Sequence, residues 1–127
     1  MKEPASRRLL LSRGFLLGQL TAVDEIEQLR EEAWIGDAVL ALFVRDWLLT
    51  VSSRETSVAQ RTAIFELFVS NQFLSSFGEP TRIEAEIGRV YQTQGLSAAF
   101  AFIENDFLPR FLKTARKRGY RIEARRT

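Results

Sequence analysis

From Ala33 to Leu49 the chain reads AWIGDAVLALFVRDWLL, and from Ala38 to Val44 seven consecutive residues are apolar. A surface helix buries one stripe, so a run that is apolar all round predicts a helix surrounded by protein on most sides. The residues before it, TAVDEIEQLREE over 21–32, place Val23, Ile26 and Leu29 at helical intervals. They read as a lead-in, with Glu25, Glu27, Glu31 and Glu32 on a solvated face. Upstream, Pro4 and Ser6 suit the start of a first helix presenting Leu9, Leu10, Phe15 and Leu16 and ending near Gly18. Downstream, Thr50 to Thr56 is a loop by composition, and a third helix runs from Ser57 to Phe77 with an apolar face of Phe65, Phe68, Val69, Phe73 and Leu74. Gly78-Glu79-Pro80 ends it. A further helix carries Ile83, Ile87, Val90 and Tyr91 between Pro80 and Gly95, and a last one starts near Ser97 with Phe100, Ala101, Phe107 and Leu108, interrupted at Pro109. No segment alternates as a strand does, and no internal repeat is evident. The expected class is all-α, with residues 1–127 forming one domain.

Composition narrows the chemistry. The chain has no Cys and no His, which removes disulfides, zinc-finger sites, thiol nucleophiles and imidazole bases together. Catalysis would have to use carboxylates, hydroxyls, Lys, Arg, Tyr or a bound metal. The net charge is only +2, so any nucleic-acid reading rests on how charge is distributed. It is uneven: Arg110, Lys113, Arg116, Lys117, Arg118, Arg121, Arg125 and Arg126 face only Glu123 in a basic tail over about 110–127. Such a tail is either a phosphate-binding element or a solvated end. Arg13 and Gly14 break the N-terminal apolar run short of a membrane span, and no signal-peptide pattern follows. The expectation is a cytoplasmic protein with no membrane partner.

Within the central apolar run stands one carboxylate, Asp37. A buried or half-buried Asp requires hydrogen bonds, a cation or a metal. In the simpler reading, favoured from the bare residues, Gly36-Asp37 is a turn and Asp37 caps the helix that follows. In the other, the helix runs through from before Ala33 and Asp37 projects from its middle as a metal ligand. Whether residues 33–37 are helical separates the two.

The same stretch, EAWIGDAVLALFVRDWLL, resembles the signature helix of the ribonuclease III family, with an aromatic, an aliphatic, Gly and Asp before an apolar run. It looks closest to the Mini-III branch, which lacks the double-stranded-RNA-binding domain. LFVSNQFL over 67–74 is similar to the family's Val-Ser-Asn helix, and IEAEIGRVYQTQGLSAAFAFIE resembles its late Glu-Ala-x-Ile-Gly helix and the one after it. Three blocks in the right order cover roughly residues 30 to 110. The resemblance implies a helical endoribonuclease domain that cleaves double-stranded or structured RNA, as in rRNA processing. It further implies a symmetric homodimer and Mg²⁺, with Mn²⁺ as the alternative ion, activating water. By position, Asp37 and Glu84 match the family's catalytic, metal-binding carboxylates, and Trp34 matches an aromatic that packs across the dimer interface. Oxygen ligands alone suffice for this chemistry, so a chain without His could run it.

Two departures bear on activity. The family's further carboxylate positions hold Ala33 and Thr81 here, a substitution similar to that of the Mini-III branch. The long basic loop of that branch is reduced to Gly78 to Pro80, which leaves Arg116, Lys117 and Arg118 as the expected RNA-binding residues, with Arg82 and Arg89 next. The alternative function is a catalytically impaired ribonuclease III-like module that binds RNA or a ribonucleoprotein.

Overall fold

The computed structural model describes residues 22–53 and 55–122, and its longest element is α1, Ala22–Val51. Thirty residues of helix span about 45 Å. Residues 33–37 lie inside it, which decides between the two readings: there is no turn at Gly36-Asp37, and Asp37 projects from the helix instead of capping it. The reason lies in the contacts of Gly36, which α4 fills as described below. The lead-in and the apolar run are one rod. Its burial also differs from expectation: Val39, Leu40, Phe43, Val44 and Leu48 face the core, whereas Trp34, Ala38, Leu42 and Leu49 share an exposed face. The seven-residue apolar run is therefore divided between two sides.

The helix expected over Ser57–Phe77 is two helices, α2 (Val58–Phe68) and α3 (Asn71–Leu74). Ser57 caps α2 by accepting from the Gln60 amide. Ser70 breaks the run: its hydroxyl donates to the Leu67 carbonyl at 2.7 Å and accepts from the Phe73 amide at 3.0 Å, closing one helix and capping the next. The bend lets Phe68, Phe73 and Leu74 all enter the core. Helix α4 (Pro80–Gln94) starts behind Glu79, whose side chain accepts from the Arg82 amide, and stops at Gly95 with φ of 96°. Helices α5 (Leu96–Asp106) and α6 (Leu108–Lys117) are separated where Pro109 was expected to interrupt them. Ala101 is exposed, and Ala99 and Ile103 hold the buried positions of α5 instead. Among the described residues there is no strand, and no helix is long and apolar enough to cross a membrane. The helix expected within residues 1–20 lies outside the described residues, as do Arg125 and Arg126.

Aliphatic side chains in the core surround a cluster of aromatic rings. Phe68 and Phe111 stack at 4.3 Å between ring centroids, and Phe43, Phe73 and Trp47 pack edge-on around Phe68. Because Phe111 and Ala115 of α6 are fully buried, the expected basic tail is, as far as Lys117, the last helix of the fold. Arg110 fastens α6 to the turn before α4: its guanidinium lies 4.3 Å from the Phe77 ring centroid and donates to the Ser76 carbonyl at 2.7 Å.

The tightest packing is between α1 and α4. A Cβ placed on Gly36 would lie 1.7 Å from the Glu84 carbonyl oxygen, and one on Gly88 would lie 1.9 Å from that of Glu32. Helix-interior glycine costs about 1 kcal/mol relative to alanine, and here each glycine is the condition for backbone contact. Gly36→Ala and Gly88→Ala are each expected to lose about 3 kcal/mol or more of unfolding free energy in urea denaturation, because the obstacle is backbone and cannot swing aside.

Candidate functional site

The glycine crossing positions two carboxylates from distant parts of the chain. Asp37 follows Gly36, and Glu84 is the residue whose carbonyl oxygen Gly36 abuts. The crossing brings the half-buried Glu84 carboxyl close enough to exposed Asp37 to feel its charge. The pKa of Glu84 is pushed up to about 7. Burial is the largest cause, followed by the Asp37 charge, a hydrogen bond with Asp37 and the charge of Glu79. Glu79 stands at the start of the same helix, its carboxylate held by the Arg82 amide at 3.0 Å. Like charges are thus gathered at one end of the crossing.

Such a pair can share a proton near neutrality or take a cation between its oxygens. A hard divalent ion suits it, since the donors are all oxygen and a positive charge relieves their repulsion. Among the described residues no group of three or more His, Cys, Asp or Glu side chains is arranged to hold a metal. Two carboxylates with retained water fit Mg²⁺, which is bound through one or two carboxylates more often than in an all-protein cage.

The other end of the crossing corrects an expectation. Glu32 is not on a solvated face: it is 7% exposed, and Arg89 reaches across from α4 to its two oxygens at 2.9 and 3.4 Å. Gln28, one turn earlier, donates to the same carboxylate at 3.2 Å. With its oxygens engaged by a guanidinium and an amide, Glu32 is a buried structural carboxylate. Sequence reasoning missed this pair, and with it a signal that was present. EAWIGD over 32–37 and EAEIGR over 84–89 are a near-repeat.

The remaining sequence-derived candidates are placed as follows. Trp34 is 77% exposed, one turn before Asp37 on α1. Arg116 and Lys117 end α6, and Arg118 is its C-cap residue; all three are exposed. Arg82 is exposed, whereas Arg89 is committed to Glu32. Ala33 is buried and Thr81 half-buried, so neither adds a carboxylate to the pair. Away from the crossing, a groove of about 410 Å³ between α1 and α2 is lined by Arg45, Arg61, Phe65 and Glu66 among others, with Arg45 over the Phe65 ring.

In comparisons with protein-family models, characterised proteins and solved structures, nothing matches the chain.

The geometry of the acidic pair sets a pH dependence. A carboxyl group whose folded pKa lies above its unfolded value makes the folded state bind more protons, so stability falls as pH rises through the interval. For Glu84 the interval runs from 4.5 to about 7. Unfolding free energy should decline over that range and level off above it. Asp37→Asn should shallow the decline without abolishing it, since burial is the larger cause, and should stabilise the protein at pH 8 by on the order of 1 kcal/mol after screening of these partly exposed groups. Urea melts at intervals of pH check both.

Proposed function

We propose that the chain is an Mg²⁺-dependent endoribonuclease of ribonuclease III type, acting as a homodimer on double-stranded or structured RNA. The observation that carries this reading is the convergence of Asp37 and Glu84 at the α1–α4 crossing. They are the carboxylates that the motif resemblance selects, and the all-helical architecture is compatible with it. Asp37 and Glu84 would hold the ion, with Glu84 losing its proton as the ion binds. The ion would supply an activated water and stabilise the leaving oxygen of the phosphodiester. Exposed Arg116, Lys117 and Arg118 supply positive charge for backbone phosphates without reading sequence, as duplex RNA recognition generally requires. The dimer reading is supported by the exposed face of α1, where Trp34, Leu42 and Leu49 are 77%, 49% and 66% exposed. A large aromatic beside the acidic pair suits an isologous interface.

A second reading, the catalytically impaired RNA-binding module, is favoured by one observation. Among the described residues no third acid joins Asp37 and Glu84 to form a metal-holding group, with buried Ala33 and half-buried Thr81 where the resembled family has acids.

Incubation of long duplex RNA with the purified protein separates the two. The nuclease reading expects cutting that requires Mg²⁺ and falls at least about a hundredfold in Asp37→Asn or Glu84→Gln, the loss of a charge that binds the metal. Binding of the same duplexes without any Mg²⁺-dependent cutting would establish the module instead.

For the dimer, sedimentation of the wild-type chain should give twice the monomer mass at micromolar concentration. Trp34→Ala should weaken association by about 2 kcal/mol or more, as a central aromatic anchor does. A wild-type monomer under those conditions would remove the dimer from the proposal.

A further inference from the structure

The two helices that meet at the glycines carry the same short pattern. Helix α1 reads Glu32-Ala33-Trp34-Ile35-Gly36-Asp37, and α4 reads Glu84-Ala85-Glu86-Ile87-Gly88-Arg89. Their contacts are reciprocal: Gly36 lies against the Glu84 carbonyl and Gly88 against the Glu32 carbonyl, each also facing the other's amide nitrogen. Since the first residue of each pattern meets the glycine of the other, the helices run antiparallel and the crossing has a local two-fold relation. That relation creates two equivalent places for the side chain after each glycine. At one, Arg89 grips Glu32 at 2.9 Å; at the other, Asp37 meets Glu84. One end attracts and the other repels.

We infer that Glu32 and Arg89 are positioning residues for the acidic pair, their ion pair holding the crossing closed at one end against the repulsion between Asp37 and Glu84 at the other. Two features make the coupling mechanical. Glu32 and Asp37 are five residues apart, about 7.5 Å along a rigid helix, and the backbone contact between Gly36 and Gly88 lies between the two ends as a pivot. Glu32 is also held from its own helix by Gln28, so the carboxylate that Arg89 pulls on is itself fixed. What the spacing serves rests on the proposed function; the coupling rests on the crossing alone.

The test keeps the full chain and replaces the ion pair with a neutral one. Arg89→Gln alone strands a buried carboxylate and risks unfolding, whereas Glu32→Gln with Arg89→Gln removes both charges. Two-dimensional NOE spectra without metal then report the core through Phe68–Phe111 cross-peaks and the site through Asp37–Glu84 side-chain cross-peaks. Mn²⁺ titration followed by electron paramagnetic resonance reports the affinity of the pair. In the double neutral variant the core cross-peaks should persist and the Asp37–Glu84 cross-peaks weaken, with the Mn²⁺ Kd raised about tenfold, the usual scale for losing a group that orients metal ligands. The reversed pair, Glu32→Arg with Arg89→Glu, should restore both readouts. A folded double neutral variant with unchanged cross-peaks overturns the inference, as does a folded reversed pair that restores neither when the neutral pair does not fold. A wild-type chain that binds no Mn²⁺ would refute the cation reading of Asp37 and Glu84 while leaving the positioning role to be decided by the cross-peaks.

Discussion

Gly36 and Gly88 let the backbones of α1 and α4 touch, each lying where a Cβ would overlap a carbonyl oxygen of the other helix. Side chains normally hold packed helices 8–10 Å apart, and removing them at one point allows a closer approach that fixes rotation as well as distance. Rotation matters most for function, because it decides which residues beyond each glycine face one another. The core around stacked Phe68 and Phe111 buries apolar side chains from several helices, but it would tolerate small shifts between them. The glycine crossing would not.

Charge is distributed around that crossing unevenly. A second copy of the Glu32–Arg89 arrangement at Asp37 and Glu84 would pair opposite charges at both ends of the crossing. Instead the chain places two acids together and adds Glu79 nearby, and burial, the largest cause, together with these charges raises the Glu84 carboxyl to about 7. Departures from local stability of this kind collect where chemistry is done. They support a working site at Asp37 and Glu84 without depending on what the site binds.

Much of the fold was legible in the chain. Pro80, Gly95 and Pro109 marked helix boundaries because their backbone constraints act locally. Helical spacing located Ile83, Ile87 and Phe107 in the core, but Tyr91 and Ala101 are exposed, and the buried Phe111 and Ala115 were hidden among the basic residues of the tail. Ser70 was harder, since its hydroxyl ends one helix and starts the next within a run whose apolar pattern continues unbroken. The continuity of α1 through Gly36 was read wrongly from local signals alone, because glycine before Asp looks like a helix start when the partner helix is unknown. For the same reason Glu32 looked solvated: its neighbours in sequence are acidic, but its partner, Arg89, is 57 residues away. Asp37 and Glu84 were found through motif resemblance, whereas their convergence required the fold. The repeated EAxIG pattern was in plain view, too short to register until the contacts showed that its two copies meet.

The close approach of the two helices is testable without reference to function. In NOE spectra of the uniformly labelled protein, the α-protons of Gly36 should give strong cross-peaks to the amide and α-protons of Gly88, and the α-protons of Gly88 to the amide of Gly36. Absence of these cross-peaks, with α1 and α4 still helical by chemical shift, would contradict the crossing and with it the pairing of Asp37 with Glu84 and of Glu32 with Arg89.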